Sequence, residues 1–223
     1  MNAKPIPHNR YSRAEWLSDA VVHVAGVSLV LMAVPVLIVV TVIERGDLAA
    51  VSGVSIYGAA LIAMLACSAL YNVGGRFHWG AAREWLFKRL DHAAIYVKIA
   101  GTYTPFTLLS GQGAGLTLGL WAAALAGVAL KLISPYRFRW VALSLYLAMG
   151  WAGVVAGQAL LAALPMPVVV LMLVGGALYT GGVVFYLWER LPFHNTIWHV
   201  CVLAASLVFY AAVLSYVLIG SMS

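Results

Sequence analysis

Apolar residues run through this chain in seven long blocks, at about 20–43, 48–71, 91–110, 114–133, 139–161, 166–188 and 196–219. A helix needs about 20 mostly apolar residues to cross the hydrocarbon layer of a bilayer, and every block reaches that length. The pattern predicts an all-α integral membrane bundle of seven transmembrane helices, forming a single domain over residues 1–223. No stretch is left over for a soluble domain. The first block is too long for a signal-peptide core and has no small-residue cleavage pattern, so it is expected to persist as the first helix. Val73 to Leu90 is the longest connection, and its "WGAAREWLFKRL" is amphipathic, predicting a segment that lies along the membrane interface. Gly153 with Gly157, and Gly115 with Gly119, are small residues four apart that permit close helix contact.

Composition agrees with the blocks. Hydrophobic residues are 64% and charged residues 9% of the chain, against about 45–50% and 25% in soluble domains. The net charge of +6 does not signal nucleic acid, because the basic residues are dispersed between apolar runs and build no patch that could track a phosphate backbone. They report topology instead. Lys4, Arg10 and Arg13 precede the first block; Arg76, Arg83, Lys88 and Arg89 lie between the second and third; Lys131, Arg137 and Arg139 lie around the fourth-to-fifth connection; Arg190 lies in the sixth-to-seventh turn. Only Arg45 falls on the other side, with Lys98 inside a block. The positive-inside rule places the amino terminus in the cytoplasm and the carboxyl terminus outside. Cys67 and Cys201 both lie within apolar blocks and read as small buried thiols.

With that direction fixed, the polar residues inside the blocks sort by depth. The second block ends near the cytoplasm with Ser68 and Asn72, the third begins there with Asp91 and His92, and the seventh begins there with Asn195 and His199. The first contributes His23. Residues four apart share a helix face, which aligns Ser68 with Asn72, Asn195 with His199, and Glu15 with Asp19 and His23. His194 and His199 are five apart, about 140° around the axis at about 100° per residue, so one metal is not expected to bind both. His194 is placed at the rim. Each polar residue also has a plainer reading: interfacial or capping for Ser68, Asn72, His92 and His194, a satisfied core histidine for His23, a helix N-cap for Asp91. Lys98 lies seven residues past Asp91, about 10.5 Å deeper at 1.5 Å per residue. It either faces the bundle with Asp91 as counter-ion or snorkels toward the interface.

"SALYN", "RLDHAAIYVKIAGTYTPF" and "HNTIWHVCVLAAS", with "AEWLSDAVVHVAG" upstream, resemble the hemolysin III family, the bacterial branch of the progestin and adipoQ receptor (adiponectin receptor-like) superfamily. The resemblance runs along the whole chain. It implies a seven-helix protein of the bacterial inner membrane and a zinc site near the cytoplasmic face, formed by Ser-x-x-x-His on the second helix and His-x-x-x-His on the seventh, with an aspartate opening the third. Ser68, Asp91 and His199 match the serine, the aspartate and the last histidine, but Asn72 and Asn195 stand at the two other ligand positions. Asparagine amides are poor zinc ligands. Local unwinding would be needed for His194 to replace Asn195, and only His78 or His92 is near enough in sequence to stand in for Asn72. The paired asparagines also suit a metal-free hydrogen-bonded network with His199.

Three function classes follow. The resemblance implies a role in membrane homeostasis or hydrolysis of a lipid amide or ester, with membrane lipid as ligand or substrate and water activated near Ser68, Asp91 and His199. Without metal, His199 would be the general base. The second class is a non-enzymatic lipid sensor using the same polar site, with Asp19, His23, Lys98 and His194 around it. The third is a proton or ion pathway past Asp91, Lys98, His23 and His199.

Overall fold

The structure is a computed structural model, and it describes residues 12–74, 80–133 and 138–220. Lys4, Arg10, Arg76, His78 and Arg137, which entered the topology and ligand readings, lie outside the described residues. Within them the chain forms eight helices: α1 (Arg13–Glu44), α2 (Leu48–Asn72), α3 (Ala81–Ser110), α4 (Ala114–Ile133), α5 (Arg139–Ala156), α6 (Gln158–Ala163), α7 (Met166–Leu187) and α8 (His194–Gly220). The protein is an all-α integral membrane protein. Six helices, α1, α2, α4, α5, α7 and α8, are long and apolar enough to cross a membrane.

Local chemistry sets the helix starts. Ser12 opens α1 with a capping box: the Glu15 N–H donates to Ser12 Oγ (3.2 Å) and the Ser12 N–H to Glu15 Oε2 (2.8 Å). This begins the helix well before the apolar block does, because a capped polar turn continues the same hydrogen-bond ladder. Asp47 caps α2 by accepting from the Ala50 N–H at 2.8 Å.

The third helix differs from its expected form in two ways. From Ala81 onward the amphipathic stretch is not a connection separate from the third block but the first turns of α3, which runs unbroken from Ala81 to Ser110. Nothing between Leu90 and Asp91 breaks it, since neither glycine nor proline interrupts the helical ladder there. Its second half is less apolar than its neighbours because it is central: every residue from Ala100 to Thr107 is buried. Hydroxyls in that position must find partners. Thr102 donates to the Lys98 carbonyl (2.7 Å), Thr104 to the Ala100 carbonyl (3.0 Å), and Trp121 Nε1 of α4 donates to Thr104 Oγ1 (3.2 Å).

The predicted fifth span, 139–161, is divided into α5 and α6 at Gly157. A side chain from α3 enters the α5 ladder just before the break. The Tyr103 hydroxyl donates to the Gly150 carbonyl at 2.6 Å and accepts from the Gly153 N–H at 3.1 Å. A group inserted into the ladder is a standard cause of helix kinking. Gly153 is also where close approach is needed, because a Cβ there would strike the Tyr103 ring. Gly115 and Gly119 face open space and make no such contact.

First and last helices run parallel. Contacts pair Glu15 with Phe193, Ser18 with Thr196, Asp19 with His199 and Ala33 with Tyr210, at sequence separations of 178, 178, 180 and 177. That nearly constant offset means that α1 and α8 climb side by side from the same end. Lipid tails are as apolar as leucine, so packing and interhelical hydrogen bonds hold such a pair together.

Candidate functional site

Asp19 is the hub of a polar cluster at the amino-terminal ends of α1 and α8. It is 6% exposed, and His23, one turn on, is 4% exposed. The i, i+4 spacing puts both on the face of α1 that meets α8. Parallel packing then delivers His199, whose Nδ1 lies 2.6 Å from Asp19 Oδ1. Asn195, a turn earlier on α8, donates its amide to Asp19 Oδ2 at 3.4 Å. The two imidazole rings meet edge to face, with centroids 4.3 Å apart.

Hydrogen-bond partners fix the tautomers. His23 Nδ1 faces the Asp19 backbone carbonyl at 2.8 Å, which only accepts, so Nδ1 carries the proton and Nε2 the lone pair. That lone pair faces Ser68 Oγ of α2 at 3.1 Å. His199 Nδ1 donates to the Asp19 carboxylate in the same manner, leaving its Nε2 lone pair free of that contact. Asn72 braces Ser68, donating to its carbonyl at 3.0 Å and to its Oγ at 3.3 Å.

The donor set suits a metal ion. Asp19, His23 and His199 each offer one ligand atom, and the three atoms lie within 4.8 Å of one another. Ligands on one tetrahedral zinc sit about 3.4 Å apart, given bond lengths of about 2.0–2.1 Å, so small side-chain rotations would bring the three together. Two histidines and a carboxylate with a vacant fourth position form a recognised catalytic zinc set. An asparagine-containing set is not needed: Asn72 and Asn195, at the positions the resemblance marks for ligands, direct their NH₂ groups at Ser68 and Asp19 as hydrogen-bond donors.

The other expected site residues are spread around this cluster. Ser68 is buried and joined to it through His23. Asp91 is half-buried, within 3.7 Å of His92 Nδ1 and near enough to His23 for its charge to be felt there. His92 donates from Nδ1 to the Lys88 carbonyl at 2.7 Å. His194 is buried in the first turn of α8. Lys98 is buried and faces the bundle, with its ammonium over Tyr179 and Phe209; Asp91 is not its ion-pair partner. Among the described residues, the metal-type grouping therefore pairs His199 with two residues of the first helix. Asp19 and His23 stood out in the sequence by their spacing, but only the parallel seating of α1 against α8 identifies their partner.

Comparison with known proteins agrees with the motifs. Residues 13–210 match the family described as haemolysin-III related. Hemolysin-3 of Bacillus cereus is 36% identical over 207 residues, covering 92% of each chain. A hemolysin-3 homolog of Bacillus subtilis is 34% identical over 206 residues, covering 91% of this chain and 94% of its own. More distantly, the human monocyte to macrophage differentiation factor is 28% identical over 178 residues, with 72% of this chain and 68% of its own covered.

Proposed function

Because the chain belongs to the hemolysin III family of the progestin and adipoQ receptor superfamily, we propose that it is a seven-span protein of the bacterial inner membrane that hydrolyses an amide or ester bond of a membrane lipid at the Asp19–His23–His199 cluster. The convergence of those three donors within 4.8 Å carries the reading. Parallel α1 and α8 support seven crossings: a chain that crosses at each helix runs parallel to its start only after an odd number, and α5 with α6 counts as one. The burial of α3 accounts for its polar content. The excess of lysine and arginine at the amino-terminal end supports a cytoplasmic amino terminus and an outer carboxyl terminus.

Zinc held by Asp19, His23 and His199 would supply Lewis-acid polarisation of a carbonyl and an acidified water. The chain's own groups set up the rest. Asp19 holds His199 in the tautomer whose Nε2 can donate its electron pair, and the Asp19 backbone carbonyl does the same for His23. His23 Nε2 has one lone pair, so engaging it elsewhere releases the Ser68 O–H from its present acceptor. Ser68, still braced by Asn72, then has a proton to donate to a substrate oxygen. Asn195 holds the second carboxylate oxygen of Asp19 in place.

The test is elemental analysis of protein purified without chelators, coupled to turnover of a fluorescent lipid amide and a fluorescent lipid ester. We expect about one zinc per chain, lost together with turnover in His23→Ala and His199→Ala. Zinc-free protein that cleaves neither lipid would overturn the reading. One observation favours the second reading, a non-enzymatic lipid sensor: Asp19, His23, Ser68, Asn72, Asn195 and His199 already satisfy one another by hydrogen bonds. Zinc-free protein that still binds lipid would select it.

A further inference from the structure

A second polar centre lies deeper in the bundle. Lys98 of α3 is 4% exposed. Its Nζ stands 4.3 Å from the centroid of the Tyr179 ring on α7 and 4.8 Å from that of Phe209 on α8. Among the described residues it has no carboxylate within 4.0 Å and no hydrogen-bond acceptor. Asp91, expected as its counter-ion, lies seven residues back, about 10.5 Å along the helix, beside His92.

Two ring faces turned toward one amine favour its charged form, because the negative face of an aromatic quadrupole attracts a cation and gains nothing from a neutral amine. The rings accept no ordinary hydrogen bond, so three N–H donors remain to be filled. An ammonium in the hydrocarbon layer without an anion is costly, and intramembrane cations pair or line a ligand path.

Tyr57 of α2 makes the same demand from another side. It is 1% exposed, and among the described residues its hydroxyl has no hydrogen-bond partner. Its Cα would lie 4.0 Å from a Cβ placed on Gly101, which is three residues beyond Lys98 on the same helix. Its phenol is in electrostatic reach of Tyr179, the ring beneath the ammonium. Tyr179 is itself held by Ser206 of α8, hydroxyl to hydroxyl at 2.7 Å. Buried phenols normally find a partner.

A buried ammonium and a buried hydroxyl on packed neighbouring helices, both without an acceptor among the described residues, describe an anion site. We infer that Lys98 and Tyr57 bind a monovalent anion, a halide from the aqueous phase or the carboxylate of a fatty acid from the bilayer, in the interior of the bundle between α2, α3, α7 and α8. One positive charge calls for one negative charge, and four apolar helices exclude a more highly charged guest. The site is separate from the Asp19–His23–His199 cluster, since Ser206 lies seven residues along α8 from His199, about 10.5 Å. It does not depend on the hydrolase reading.

The experiment is equilibrium binding of radiolabelled chloride and radiolabelled palmitate to the full chain in phosphatidylcholine nanodiscs, with and without a zinc chelator. One probe is expected to saturate at about one per chain, unaffected by chelation. Chloride alone would identify an aqueous halide, and palmitate alone a lipid carboxylate. Lys98→Met should abolish that binding, Lys98→Arg should keep it, and Tyr57→Phe should weaken it about tenfold, the loss of one hydrogen bond to a charged group. Lys98→Met removes a buried charge, so it should stay monodisperse and melt no lower than the parent without ligand. Saturation by neither probe, or binding that survives Lys98→Met or ignores Tyr57→Phe, overturns the inference.

Discussion

Asp19 and His199 meet at 2.6 Å across 180 residues of chain, carboxylate to imidazole, at the amino-terminal ends of two parallel helices. The contact is short for an N–H···O bond and belongs to the charge-assisted kind. It sets the direction of the His199 lone pair, and with it the chemistry available to the cluster.

Asp19→Asn keeps the shape but removes the charge. Zinc affinity should fall about 10- to 100-fold, as when an oriented ligand loses its supporting carboxylate or a ligand oxygen is neutralised. Competition with a chromogenic chelator measures this directly. An unchanged affinity would mean that Asp19 neither binds nor orients the metal.

Restoring histidines at the two asparagines tests the relation between this site and the family arrangement. Asn72 reaches Ser68 Oγ at 3.3 Å and Asn195 reaches Asp19 Oδ2 at 3.4 Å, so both stand at the edge of the cluster. The double variant Asn72→His, Asn195→His should bind zinc at least about tenfold more tightly than the parent, because two imidazole nitrogens, which suit zinc, replace two amides. Chelator titrations of both proteins that superimpose would count against the alignment of these positions.

Much of this arrangement could be read from the chain. The α4 block was expected at 114–133, where the helix lies, and the α2 block ends within one residue of Asn72, because uninterrupted apolar runs have few ways to satisfy their backbone in lipid. Ser68 and His199 were placed at one level, and they connect through His23. Tertiary contacts were less legible. Lys98 looked like a partner for Asp91 because seven residues nearly repeat a helix face, whereas packing points the two at different neighbours. The division of the fifth span depends on a phenol from another helix, which no local pattern in residues 139–161 announces.

That phenol gives a further test. Tyr103→Phe removes a donor to the Gly150 carbonyl and an acceptor for the Gly153 N–H. The cost should be about 1–3 kcal/mol, the range for leaving buried polar groups unsatisfied. Thermal unfolding in detergent should show a lower midpoint, and hydrogen exchange should accelerate at Gly153. A variant as stable as the parent would mean that the α5 backbone bends without the tyrosine.

Glu15 fastens the start of α1 to the turn before α8. Its Oε1 accepts from the Phe193 N–H at 3.0 Å while Oε2 accepts from the Ser12 N–H at 2.8 Å. Phe193 is the positive-φ non-glycine residue among those described, at φ 59, a conformation that costs about 1–3 kcal/mol unless its surroundings hold it. Glu15→Ala should destabilise the protein by about 1–2 kcal/mol through the lost cap and tether. Adding Phe193→Gly should recover part of that, since glycine adopts positive φ without strain. Equal melting points for the single and double variants would show that the tether does not restrain the turn.

The side-by-side seating of α1 and α8 also governs when the donor set can come together. Asp19 and His23 leave the ribosome well before His199, which follows 180 residues after Asp19. A nascent or truncated chain therefore carries only part of the donor set. The donor set is completed only when α8 seats against α1, so an intact cluster reports the docking of those two helices.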